Sequence, residues 1–299
     1  MKKQLLLPLA AAAGGAAGLV LRLLQNQTGF EAATGLPIPG NAPGTALAVL
    51  LVALFAVLFL LARMIPPAEE GPLFPEDFRT ANAGLAALPI MGIFLMALSG
   101  GLDILAGAAL LNPGGLESVG GPDGPAVFWA AGAVVSGPVL SSGGRLITGV
   151  LTLLSAVCLF PPAACCLCRP GARPRTASPA LLLVPPVCLV ARLVLAYRVD
   201  SVNPALASYY VEILALVFMT LAFYRLSSFA YRAARPRHFA LYTGAAVALC
   251  LTALTDGDGF SALLLYAGGA LTLMGFLLLW LTGGRSVSEI VEGGPPAAP

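Results

Sequence analysis

The sequence is poor in charge. Of its 299 residues 10% are Asp, Glu, Lys or Arg, whereas 58% are hydrophobic, and the mean hydropathy is +0.90. Soluble domains carry roughly 25% charged residues, and a water-facing surface cannot be covered with so few. A bilayer removes that requirement, because hydrocarbon then bathes most of the surface. The formal net charge of +2 is too small to imply a nucleic-acid partner. No polar stretch is long enough to make a separate soluble domain.

Histidine is almost missing. His238 stands alone, which excludes multi-histidine metal centres and HExxH. There is no GxSxG elbow. Leu98-Ser99-Gly100-Gly101 is Gly-rich but lacks the strand before it and the GK[ST] after it that a phosphate loop needs. Asp256-Gly-Asp-Gly259 opens like a calcium loop, yet the bidentate Glu of the twelfth position is replaced by Ala267, so it reads as a tight turn. Six cysteines occur, and none falls in an expected outer loop, so no extracytoplasmic disulfide framework is implied. Cys165 and Cys168 have CxxC spacing beside Arg169, Arg173 and Arg175, a basic setting that lowers a thiol pKa. Without further ligands they read as reduced, non-catalytic thiols. No cofactor and no metal are implied, and no enzyme signature is present.

What the sequence has is apolar length. Gly (34) and Pro (25) are abundant, but long hydrophobic runs persist between them, which excludes a disordered chain. About 20 apolar residues are needed to cross ~30 Å of hydrocarbon. Eight runs qualify: 5–24, 45–65, 80–101, 145–168, 179–198, 205–228, 238–254 and 260–282. The seventh is short, and the third reads on toward Leu111. Residues 125–140 are apolar but short and interrupted at Gly137-Pro138, so an interfacial or re-entrant segment is expected there, with Phe128 and Trp129 at the headgroup level. The fold class is thus all-α, a polytopic bundle of about eight spans in residues 1–282, followed by a short flexible cytoplasmic tail in 283–299. Met1-Lys2-Lys3 and the following apolar run also suit a signal peptide, but the run continues to Leu24, which favours an uncleaved first span.

Charge orients this arrangement. With the N-terminus inside, twelve Lys and Arg fall on the cytoplasmic side and four (Arg22, Arg145, Arg192 and Arg198) on the outer side. A ninth span at 125–140 would put Arg169–Arg175 and Arg232–Arg237 on opposite sides and weaken the bias. Both ends are therefore expected in the cytoplasm, in a bacterial cytoplasmic membrane.

Ionisable groups at membrane depth are costly and are functional candidates by default. Arg192 and Glu212 flank the short outer link 199–204, and each lies roughly 10 Å below the outer boundary at 1.5 Å per residue. The expectation is that they pair, with Ser208 and Tyr209 on the same face as Glu212. Asp103 and Arg145, with Arg22, Arg198, Asp200, Asp256 and Asp258, gather at the same side and suggest the rim of an outward-facing vestibule. Pro161-Pro162 and Pro185-Pro186 are expected to kink or end their spans, as broken helices do at some transport sites. Ala10, Gly14 and Gly18, and Gly268 with Thr272, form small-residue faces for close helix packing or for a partner subunit or second copy. The Ala, Gly, Pro and Arg content also suits a GC-rich genome, which dilutes such motifs.

Three functions remain. The leading expectation is permease-like binding or transport of a small solute. The first alternative is a non-transporting membrane subunit or scaffold, and the second is an intramembrane enzyme. The expected partners are the lipid bilayer, a small-molecule solute and a membrane partner subunit.

Overall fold

The computed structural model describes residues 5–31, 37–38, 40–65, 74–80, 82–111, 142–167, 177–200, 206–256 and 259–292; the side chains of 110–111, 142, 199–200, 206–209 and 283–292 lie outside that description. The 125–140 segment expected at the interface lies outside it too, as does Cys168. All regular elements among the described residues are helical. They are α1 (Leu6–Thr28), α2 (Ala42–Arg63), α3 (Ala83–Leu111), α4 (Ser142–Cys165), α5 (Val184–Asp200), α6 (Leu206–Ala230), α7 (Pro236–Ala253) and α8 (Phe260–Glu292). Short 3-10 turns precede α3 and α5, at Glu76–Phe78 and Pro179–Leu182. The third span does run on to Leu111, and α8 continues past Thr282 to Glu292.

Seven of these helices are long and apolar enough to cross a membrane; α7 is not among them. This is a membrane protein. α7 falls short because it begins Pro236-Arg237-His238 and is then rich in Ala, Gly and Thr. Its position explains that composition. Thirteen of its 18 residues are buried, and α1, α2, α6 and α8 pack around it. A helix surrounded by protein does not need lipid-facing hydrocarbon side chains.

Contacts at the two ends give the helix directions. At one end, Asn26 Nδ2 donates to Thr255 O at 2.9 Å, and Ser99 Oγ donates to Ser261 O at 2.7 Å. At the other end, Arg237 Nε donates to Ile65 O at 2.8 Å, Thr80 N to Cys166 O at 2.9 Å, and Phe74 N to Phe229 O at 3.3 Å. Successive helices therefore run in opposite directions. The second end is closed by Phe78, wholly buried, whose ring meets those of Phe74, Phe229, Phe239 and Phe276 at 5.2–6.1 Å. Edge-to-face geometry suits the ring quadrupoles, and Trp280 extends the cluster through Phe229 and Phe239.

The small-residue faces are used inside the chain. A Cβ on Gly92 of α3 would lie 2.5 Å from Gly268 O, and one on Gly268 would lie 2.6 Å from Gly92 O. Gly100 and Gly149 bring α3 and α4 together in the same way, each Cβ falling 2.8 Å from the other's carbonyl oxygen. In α1, Gly14 faces Leu54 of α2 and Gly18 faces Thr252 of α7. Backbones approach this closely only where Cβ is absent, and such packing drives helix association in lipid.

The prolines do not break helices at depth. α4 continues through Pro161 and Pro162 to Cys165, so the prolines expected to kink or end the fourth span lie within its last turn. The two missing N–H groups leave the carbonyls of residues 157 and 158 without their helical donors, a loss confined to the last turn. Pro185 and Pro186 sit in the first turn of α5, where the amides have no helical acceptor in any case. Pro89 lies inside α3, and its ring occupies the space left by Gly275, where a Cβ would stand 2.5 Å from Pro89 Cδ.

Candidate functional site

The end of the bundle opposite Phe78 holds three polar centres. Each is built from helices that are otherwise apolar. Arg192 of α5 donates through Nη1 to Thr152 Oγ1 of α4 at 2.8 Å and to Asp103 Oδ2 of α3 at 3.3 Å. Both charged side chains are largely shielded, at 12% and 8% exposure. The expected Arg192–Glu212 pair is thereby corrected. The two residues are on adjacent antiparallel helices at matched depth, but the guanidinium turns toward α3 and α4. Depth counting gives a residue's level; it does not give its direction around the helix axis.

Glu212 of α6 instead accepts a hydrogen bond from Tyr266 Oη of α8 at 2.7 Å. Tyr266 was absent from the sequence expectation. Its signal was available: it lies six residues into α8, as Glu212 lies six residues into α6, and both helices start at the same end. Ser208 and Tyr209 lie in the first turn of α6, with side chains outside the described residues.

The third centre joins α1 to the α7–α8 turn. Arg22 Nε donates to Asp256 Oδ1, and its Nη1 donates to Gln25 Oε1 at 2.9 Å. The guanidinium also lies over the Tyr210 ring, 5.5 Å from the centroid. Arg22 is 1% exposed, so it is not the rim charge expected from the sequence. The cause is the length of α1, which reaches Thr28 and leaves Arg22 about 9 Å inside the helix end. Asp103 is likewise buried within the bundle, whereas Arg198 is exposed. Arg145 is part-buried near the start of α4, where its carbonyl accepts from Thr148 Oγ1 at 3.0 Å.

The chemistry of this layer is that of charge held in low dielectric. Asp103 and Asp256 each face a guanidinium. Glu212 faces a phenol hydroxyl that donates to it and can equally accept from the protonated acid. Of the cysteine pair, Cys165 is buried. Among the described residues no three His, Cys, Asp or Glu side chains gather as a metal site. Compared with protein families, curated proteins and solved structures, the chain matches none.

Proposed function

We propose that this chain is an eight-span, permease-type protein of a bacterial cytoplasmic membrane, with both ends in the cytoplasm, that binds a small charged or polar solute around Glu212 and Arg192. The observation that carries the solute reading is the polar layer. Buried or part-buried ionisable groups from α1, α3, α5 and α6, with Asp256 after α7, lie at the same end of the bundle. Each is expensive in lipid, and a chain needing only to fill a membrane gains nothing from them.

Eight crossings are supported by the course of α7. Its 18 residues span about 27 Å, close to the ~30 Å of a hydrocarbon core. One of its ends bonds to the end of α2, and its other end leads to the turn that meets α1. The orientation is supported by the twelve basic residues that it places inside against four outside.

The test uses purified full-length protein and a panel of small amino acids, carboxylates, amines and sugars. Thermal unfolding is followed in wild type and in Glu212→Gln, which keeps an acceptor for Tyr266 but removes the charge. The expected result is one chemical class that raises the wild-type midpoint and leaves the variant unmoved. A second arm labels Glu212→Cys from outside with a membrane-impermeant maleimide. No shift with any solute, together with no labelling, overturns the reading.

A further inference from the structure

On the lipid-facing side of the bundle a groove of about 270 Å³ runs between α2 and α6 over α7. Leu51 and Phe55 of α2 and Leu214 and Phe218 of α6 form its walls, and Ala245 and Ala248 of α7 form its floor. The rings of Phe55 and Phe218 meet edge to face across it at 5.8 Å. Hydrocarbon is the natural filling, but an apolar groove alone does not say which molecule sits there.

A second observation does. Arg225 of α6 lies seven residues beyond Phe218, and its Nε is buried without a hydrogen-bond acceptor. Its guanidinium is flanked by the rings of Tyr224 and Tyr242, 5.6 and 5.7 Å away. Tyr242 in turn touches Phe218 at 6.2 Å, so this cation stands one ring contact from the groove wall. On the opposite wall Phe55, Phe59 and Arg63 follow one another at four-residue spacing, on one face of α2, and Arg63 lies 5.1 Å from the Phe59 ring. α2 and α6 run in the same direction. From the Phe55–Phe218 contact, Arg63 is about 12 Å and Arg225 about 10 Å further along. By this count the two arginines stand at one depth, one on each wall, at the end of the bundle where α6 turns into α7.

We infer that this groove, with Arg225 and Arg63, is a binding site for one anionic phospholipid, its acyl chain lying between α2 and α6 and its phosphodiester held between the two guanidiniums. The guanidinium fork matches phosphate oxygens and takes two at once, and it is less strongly hydrated than an ammonium. Arg225 is part-buried rather than sealed, and a headgroup phosphate supplies the anion that its guanidinium and that of Arg63 complement. The flanking tyrosines suit the headgroup boundary, where one end of the ring is apolar and the other wet. The site is separate from the polar layer and does not depend on its function.

The test reconstitutes the full chain in phosphatidylcholine nanodiscs containing a minor fraction of phosphatidylglycerol. Lipid retained after delipidation is measured by native mass spectrometry, and thermal unfolding is followed in parallel. Wild type is expected to retain phosphatidylglycerol at least fivefold over phosphatidylcholine. Arg225→Gln and Arg63→Gln are each expected to bring that ratio near one. Ala245→Leu, which fills the floor, is expected to lower retention with both arginines intact. Arg63 is exposed, so its variant remains readable if Arg225→Gln fails to fold. Arg198→Gln, an exposed arginine at the opposite end of the bundle, is expected to behave as wild type. The proposal is overturned if Arg63→Gln retains the lipid as wild type does, or if Arg198→Gln loses it equally. It is also overturned if inorganic phosphate alone raises the unfolding midpoint as much as phosphatidylglycerol, because the site would then read phosphate without the chain.

Discussion

The Arg192–Asp103 contact can be weighed by removing its two charges separately and together. At 3.3 Å, and with an effective dielectric of about 20, the gross attraction between the two charges is about 5 kcal/mol. Much of that is cancelled by the cost of desolvating them, since both are nearly buried. The single variants differ in kind from the double. Arg192→Met leaves a carboxylate with no cation, and Asp103→Asn leaves a guanidinium with no anion. Stranding one partner of a buried pair costs about 3–5 kcal/mol. Replacing both removes the desolvation cost and the attraction together, and such replacements are commonly neutral within about 1 kcal/mol or stabilising. The expected cycle therefore has two damaging singles and a double near wild type, with a coupling energy of about 5 kcal/mol or more.

Unfolding of the purified protein in mixed micelles, followed by far-UV circular dichroism and repeated for all four members, measures this. A rival account gives a different number. If the pair is only a hydrogen bond between polar helices, membrane double-mutant cycles average ~0.6 kcal/mol and rarely exceed ~1.7. A coupling below about 2 kcal/mol would refute the ion-pair reasoning. Damage in the double equal to the sum of the singles would refute it more directly, because the residues would then act on separate partners.

Two further predictions concern packing. Phe78→Ala should destabilise by about 3–5 kcal/mol, because a fully buried ring surrounded by four others leaves a cavity that helix ends cannot collapse into; Phe78→Leu should cost much less, and accelerated proteolysis of the loop before α3 checks the site of damage. Gly92→Val should destabilise by at least ~1–3 kcal/mol, since its Cβ meets the backbone of α8, while Gly101→Ala, with nothing within 4 Å of the added carbon, should be neutral or gain up to about 1 kcal/mol from helix propensity. Equal effects of those two glycine substitutions in an unfolding assay would show that the α3–α8 approach is not the cause.

Depth along a helix was legible in the sequence because it needs only a count of residues from a boundary. It set Arg192, Glu212 and Asp103 toward one end of the bundle, and the same count would have found Tyr266. Partner choice was not legible, because it depends on how each helix is rotated about its axis. A run of apolar residues facing both lipid and protein carries little periodic signal for that rotation. Arg192 accordingly found Asp103 and Thr152 across two helices rather than Glu212 beside it. Phe78 was illegible for another reason. It lies in a short turn between spans, and only the arrangement of the distant Phe229, Phe239 and Phe276 makes a place for its ring. Arg22 was misplaced by the end of α1: four residues of helix beyond Leu24 moved it from the rim into the interior.

α7 makes the most instructive case. Hydropathy reports which residues face lipid more directly than it reports which segments cross it. α2, the most apolar of the seven lipid-competent helices, has 17% of its apolar window buried, whereas α8 has 72%. α7 lies inside the bundle, and its composition follows from neighbours rather than from solvent. Two substitutions separate these influences, since both make α7 more apolar. Thr243 is fully buried and its hydroxyl has no hydrogen-bond partner, so Thr243→Val removes an unsatisfied polar group at nearly constant volume. It should be neutral or stabilise by up to about 1–2 kcal/mol. Ala246→Leu adds a larger apolar gain on paper, but Ala246 is fully buried where the helices crowd together. Overpacking there should cost about 1–3 kcal/mol. If membrane hydrophobicity governed α7, both variants would unfold at higher temperature than wild type. Opposite shifts are expected, because the medium around this helix is the rest of the protein.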